Sequence, residues 1–304
     1  MSTRVGVVGL GAMGLPMSRR LLQNGYEVSV VPHRNTAPAE ELAALGATVL
    51  RRPADLAHEC EVVITSVPDV PQVQEILFGG EGLISAARDG LLFIDMSTIT
   101  PTAAREHYDR LREKGISALD APVSGGPTRA ADGTLTIMVG GDTGAFEWGL
   151  PVLQVLGKNI THVGPAGSGQ AVKLVNQLMI SIIMVANAEA LTLGVKAGVP
   201  LKTMLEVIGT SSGSNYLMQN WMTKTLFNDD LKSGFALDLL MKDLRAALSW
   251  AGELGLPTFG GAMSQQLYKL ARTEETARLD YSVVASIYEE AAGVKLRLDA
   301  EVEQ

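Results

Sequence analysis

At 304 residues, the chain is long enough for two domains or one large one. Its 46% hydrophobic and 19% charged residues describe a packed globular protein. A net charge of −8 argues against broad binding to phosphate backbones, although a local basic pocket can still take an anionic substrate. A single cysteine, Cys60, excludes an internal disulfide and a cysteine metal cluster, which fits a reducing cytoplasm.

The first half alternates strand-like apolar runs at 5–8, 28–31, 62–65, 91–94, 117–119 and 136–139 with helix-like stretches, and a further strand is expected at 160–163. Such alternation predicts a mostly parallel sheet covered on both faces. The first strand begins almost at once, so no signal peptide is expected. Cys60, just before Val62-Val63-Ile64, reads as a buried small hydrophobe rather than a nucleophile. Strand signals fade after Pro165, and helices punctuated by Pro200, Gly213, Gly234 and Pro257 run to the end. The domain boundary is therefore placed at 164/165, giving an α/β domain at 1–164 and an all-α domain at 165–304. Residues 169–194 read as one long helix, apolar nearly all round, that other protein must cover. Lys173, Asn176, Gln177, Asn187 and Glu189 along it argue against a membrane span. The charged stretch 295–304 is expected to end a helix or fray.

Gly9-Leu10-Gly11-Ala12-Met13-Gly14 follows the first strand directly and opens a helix over 13–23. In that context the glycines predict a dinucleotide site. Gly9 permits the turn, Gly11 lets backbone approach a pyrophosphate, and Gly14 lets the helix pack closely on the strand. The helix N-terminus offers free N–H groups to the phosphates. The second strand ends in Pro32-His33-Arg34-Asn35 with no acid to bind a ribose hydroxyl. Arg34, with His33, would hold a 2′-phosphate, so NADP is favoured over NAD; adenine stacking or a solvated charge is the alternative. Val67 and Pro68, and then Ser97 and Thr98, stand at later strand ends, where ligands bind in open α/β sheets. Ser97 and Thr98 either contact the nicotinamide ribose or cap a helix.

Ser124, Gly125 and Gly126 follow Asp120-Ala121-Pro122-Val123 and form either an anion nest for a carboxylate or an ordinary turn. Lys173, Asn176 and Gln177 fall on one helical face. A lysine in so apolar a helix needs a partner or a depressed pKa, which suits proton transfer, unless it snorkels from the first turn. Lys242 either pairs with a substrate carboxylate or is a solvated helix charge. His33, His58, His107 and His162 show no ligand spacing, so no metal is expected.

The glycine turn with Pro16-Met17, Asp95-Met96-Ser97-Thr98, Asp120-Ala121-Pro122-Val123-Ser124-Gly125-Gly126, Gly133-Thr134-Leu135, Gly169-Gln170-Ala171-Val172-Lys173 and Lys242-Asp243-Leu244 occur in the order found in the β-hydroxyacid dehydrogenases. Together they span residues 5 to about 290, and the chain resembles that family. The family includes 3-hydroxyisobutyrate dehydrogenase and 2-hydroxy-3-oxopropionate (tartronate semialdehyde) reductase, and the semialdehyde reductases are the nearer likeness. The resemblance implies a Rossmann domain, a long interdomain helix and an all-helical domain. It implies Lys173 as general acid and base and Asn176 as the residue orienting the substrate. Ser124, Gly125 and Gly126 would bind the carboxylate, with Gln177 nearby, and Lys242 would close the site near nicotinamide and substrate. It also implies a homodimer or homotetramer packed through the helical domain. Gln177 stands where many relatives have Asn, and the 32–35 loop is one residue longer than in relatives with an Asp there. The expected activity is NAD(P)-dependent hydride transfer to or from a small β-hydroxy acid or semialdehyde. The alternatives are an imine reductase, a dehydrogenase for a sulfonate or larger hydroxy acid, and a catalytically silent NAD(P)-binding protein. Retention of Lys173 favours carbonyl chemistry over imine reduction.

Overall fold

The computed structural model describes residues 3–86, 88–232 and 234–298. The chain divides into two compact units, 1–174 and 175–304. The division falls beyond 164/165, and the first residues of the long helix, Gly169 and Gln170, meet Asp120 and Met138 of the preceding strands.

The first unit holds β1 (Arg4–Val8), α1 (Gly14–Gln23), β2 (Glu27–Val31), α2 (Ala37–Ala44), β3 (Thr48–Val49), α3 (Pro53–Glu59), β4 (Val62–Thr65) and α4 (Val70–Phe78). It continues with β5 (Leu92–Asp95), α5 (Pro101–Arg112), β6 (Ser117–Asp120), β7 (Val123–Ser124), α6 (Gly126–Asp132), β8 (Leu135–Gly141), α7 (Thr143–Leu156) and β9 (Gly157–Gly164). The strands form one sheet in the order β3-β2-β1-β4-β5-β6-β8-β7, with β9 on β8. All pairs are parallel except β6 with β8 and β7 with β8. The alternating pattern explains the two-faced burial. Val5, Val7, Val28, Val30, Ile64 and Ile94 enter one core cluster, whereas Val63, Phe93 and Ala118 enter another. The sequence did not mark β3 and β7, each of two residues, because runs this short carry no period. Cys60 is fully buried, and burial pushes its thiol up to about 11, far from a nucleophile's range.

The long helix α8 runs from Ser168 to Lys196, and its start belongs to the first unit. Within the second unit, α8 is joined by α9 (Leu201–Gly209), α10 (Leu237–Glu253), α11 (Phe259–Ala271) and α12 (Ala285–Ala292). Met184, Val185, Ala188 and Leu191 of α8 pack with Leu237, Leu240, Leu244, Tyr268 and Tyr281 in one core. By length and composition alone, α8 is apolar enough to cross a membrane. Its own unit covers only one side. Val175, Met179 and Ile182 remain 49, 55 and 36% exposed, and Leu193 lies on the same side.

One expectation is corrected at the C-terminus. Lys295, Leu296 and Arg297 are docked rather than frayed. Leu296 is fully buried, its N–H donates to Glu289 Oε1 at 2.8 Å, and Arg297 pairs with Glu289 and Asp229. Buried Glu289 supplies an anchor eight residues away that periodicity does not reveal. Residues 299–304 of that charged stretch lie outside the described residues.

Candidate active site

The glycine turn is built as its spacing demands, with one difference. Gly9 has φ +96°, and a side chain there would run into the Ser66 carbonyl and, at 2.7 Å, Val67. A side chain at Gly14 would land on the Gly9 carbonyl oxygen. Gly14 therefore closes the helix onto the turn itself rather than onto β1. Ser18 reinforces this arrangement by donating to the Gly14 carbonyl at 2.8 Å. A Cβ at Gly11 would meet nothing within 4 Å. Gly11 and Ala12 are exposed, with Leu10 and Met13 half-buried beside them at the head of α1. An open space over a glycine, bordered by a helix N-terminus, fits a phosphate group.

The loop after β2 presents His33 and Arg34, both exposed, and neither makes a hydrogen bond or ion pair with another described residue. Asn35 Oδ1 accepts from the Ala37 N–H at 3.2 Å and turns the chain into α2.

The ends of β4, β5 and β6 are bonded together instead. Asp95 Oδ1 accepts from Thr65 Oγ1 (2.8 Å) and from the Ser97 N–H (2.9 Å). Ser97 Oγ accepts from the Val67 N–H at 2.9 Å, so this buried hydroxyl fixes the neighbouring loop. Thr98 and Pro68 border the same loops, Thr98 half-buried and Pro68 exposed. The Thr100 hydroxyl, rather than Ser97 or Thr98, caps α5, accepting from the Ala103 N–H.

The start of α8 is tied into this network. Gly167 N–H and Gln170 N–H donate to the two carboxylate oxygens of Asp120 at 2.7 and 2.8 Å. The Gln170 carboxamide donates to the Ser97 carbonyl at 2.8 Å and accepts from the Ile99 N–H at 3.1 Å. Gly169 presses on the Met138 and Asp120 carbonyls, leaving no room for a side chain. Burial raises Asp120 to about 6, although its backbone hydrogen bonds pull the other way. Lys173 follows Gln170 on the same helical face; it is 7% exposed and has an interaction partner. It does not snorkel into solvent.

Gly125 and Gly126 both adopt positive φ, +137° and +71°, between β7 and α6. A residue with a Cβ is strained there, and Ser124, Gly125 and Gly126 are each half-buried. The Arg129 side chain folds over Gly125.

In the second unit, Asn176, Gln177 and Lys242 are brought together by a residue to which sequence reasoning gave no role, Asp243. Asn176 Nδ2 donates to Gln177 Oε1 at 3.0 Å, and Gln177 Nε2 donates to Asp243 Oδ2 at 2.8 Å. Asp243 Oδ1 pairs with Lys242 Nζ at 2.9 Å. Gln177 and Asp243 are each 2% exposed, and the Lys242 side chain 15%, so Lys242 is a paired charge and not a solvated one. Of the missed residues, Asp120 carried a signal, an acid within the apolar run 118–123, whereas Gln170 beside Gly169 and Asp243 beside Lys242 carried none.

Comparison with known proteins gives the family along nearly the whole chain. Residues 4–164 match the NAD binding domain of 6-phosphogluconate dehydrogenase, and residues 167–288 match the NAD-binding domain of NADP-dependent 3-hydroxyisobutyrate dehydrogenase. The chain is 40% identical to 2-(hydroxymethyl)glutarate dehydrogenase of Eubacterium barkeri, covering 97% of this chain and 98% of that one. It is 37% identical to 2-hydroxy-3-oxopropionate reductase of Escherichia coli, covering 96 and 99%. Among solved structures, 3-hydroxyisobutyrate dehydrogenase of Mycobacterium tuberculosis with L-serine superposes with a TM-score of 0.88 at 34% identity, covering 94 and 99%. The chain is an NAD-binding oxidoreductase of the β-hydroxyacid dehydrogenase family, with the Rossmann and helical domains of that fold.

Proposed function

We propose that the protein transfers a hydride between NADP and a small β-hydroxy acid or its semialdehyde, of the 2-hydroxy-3-oxopropionate or 3-hydroxyisobutyrate type, with Lys173 as general acid and base. The observation that carries this reading is a buried lysine one turn into a helix whose start is bonded to the carboxyl ends of β5 and β6, in the same sheet whose β1 runs into the glycine turn.

The nicotinamide, when bound, supplies or takes the hydride. Gly9, Leu10, Gly11, Ala12, Met13 and Gly14 hold the pyrophosphate, and Val67, Pro68, Ser97 and Thr98 line the loops beside it. Arg34, with His33, holds the 2′-phosphate. In reduction, the Lys173 ammonium gives a proton to the substrate carbonyl oxygen; in oxidation, the neutral amine takes it from the hydroxyl. The amides and hydroxyl of Ser124, Gly125 and Gly126 bind the substrate carboxylate. Asn176 orients the substrate, with Gln177 fixed behind it by Asp243. Lys242 approaches the carboxylate and cofactor.

The names of the relatives support a small carboxylate with a hydroxymethyl or semialdehyde carbon as substrate. The exposed apolar side of α8 supports a homodimer or homotetramer, and the single buried cysteine fits the cytoplasm. The test is a panel of tartronate semialdehyde, 3-hydroxyisobutyrate, 2-(hydroxymethyl)glutarate, serine and cyclic imines, each assayed with both cofactors. The reading expects turnover on a hydroxy-acid or semialdehyde member with NADP preferred. Turnover confined to imines overturns it.

A further inference from the structure

Asp120 and Gln170 stand outside the proposed proton transfer, yet they carry four of the hydrogen bonds that hold the start of α8. Gln170 is fully buried, and both ends of its carboxamide are used on the backbone of the β5–α5 loop. That loop is itself held to the β4–α4 loop through the Val67 N–H and Ser97 Oγ. Asp120, at the end of β6, faces the first free N–H groups of α8, and the turn of Ser124, Gly125 and Gly126 begins four residues later. Gly140 on β8 completes the seat, because a side chain there would strike the Asp120 carboxylate at 2.5 Å. The loops that border the cofactor and the helix that carries Lys173 are thus fixed by the same few groups.

We infer that Gln170 and Asp120 are positioning residues that set where Lys173 stands relative to the Ser97–Thr98 loop, so that turnover depends on them although neither touches the reacting atoms. The inference rests on the proposed role of Lys173. Its physical basis is that proton and hydride transfer need near-attack geometry, in which a displacement of about 1 Å costs on the order of 10²-fold in rate. A helix start that has lost two of four bonds gains such freedom without losing the fold, because α8 stays buried further along.

The test uses Gln170→Leu, which keeps the volume and removes both side-chain bonds, and Gln170→Glu, which keeps the acceptor for the Ile99 N–H and loses the donor to Ser97. Turnover, the KM for each substrate, cofactor affinity by fluorescence titration and the isotope effect with 4-deuterated cofactor are read for each. Gln170→Leu is expected to lower kcat by about 10²-fold, in line with a small misplacement of a reacting group, and to weaken cofactor binding far less than that. The isotope effect should rise toward its full value, and Gln170→Glu should fall between. A purely structural role lowers melting temperature and active fraction together and leaves the isotope effect alone, which would overturn the inference, as would unchanged kcat in Gln170→Leu. If Gln170→Leu does not fold, the same readings on Gln170→Glu decide. Lys173→Ala run alongside separates the two claims. Retained turnover there sinks the role of Lys173, whereas lost turnover there with unchanged Gln170 variants sinks only the positioning role.

Discussion

The two sides of the sheet's carboxyl edge treat their polar groups in opposite ways. After β2, His33 and Arg34 are exposed and bonded to no other described residue. After β4, β5 and β6, by contrast, Thr65, Asp95, Ser97 and Asp120 are buried and bonded to one another or to the first turn of α8. A charge left unbonded at a strand end is available to a ligand and costs the fold little when removed. A charge buried in a network holds other groups in place, and removing it leaves donors unsatisfied.

The largest expected effect tests the crowded side. Gly169→Ala puts a methyl against the Met138 and Asp120 carbonyls, neither of which can turn away as a side-chain end would. Overpacking of this kind typically costs about 1–3 kcal/mol, so thermal unfolding should come several degrees lower and turnover should fall with it. A variant as stable and active as the wild type would show that the helix start is loosely seated.

Next comes the charge on Asp120. Burial raises its carboxyl to about 6, against 3.8 for an ordinary aspartate. Between those values the folded protein keeps a proton that the unfolded chain has released. Stability from this group is therefore fully present below the lower value, declines as pH rises through the window and is flat above it. Activity runs the other way, because only the ionised carboxylate accepts from both Gly167 and Gln170. The titratable groups facing it are Asp95 on β5 and His107 and Tyr108 on α5, with Arg105 lying over Gly167. Burial holds His107 down to about 4, below the window. The acid limb of kcat should fall near pH 6 in the wild type and vanish in Asp120→Asn, which should also turn over more slowly. A limb that persists in Asp120→Asn would assign it to another group.

The effect confined to one cofactor, with no cost to the fold, belongs to the open side. Arg34→Ala removes a charge-assisted contact worth about 1.5–3 kcal/mol. The KM for NADP should therefore rise by about 10- to 100-fold, with the KM for NAD and the melting temperature unchanged. Equal loss with both cofactors would place Arg34 elsewhere on the nucleotide.

The sequence made most of the first unit legible because its strands are continuous apolar runs and its glycine turn has fixed spacing. The individual groups of the site were legible as candidates, Lys173 most clearly, because a cation in an apolar helix is costly and therefore informative. Their connections were not. No spacing rule joins Gln170 to Ser97 across 73 residues, or Gln177 to Asp243 across 66. Nor does one show that the Ser97 hydroxyl serves the Val67 backbone. Hydrogen bonds between distant residues are products of the fold, which decides which polar side chains are committed to it.

The role of Lys173 is tested most directly by mixing the substrate aldehyde with enzyme already loaded with NADPH and following a single turnover, for the wild type and for Lys173→Met. General acid catalysis predicts hydride transfer slower by about 10²–10⁴-fold with NADPH binding intact. A single-turnover rate equal to the wild type's would contradict the account and leave the proton to be supplied by another group.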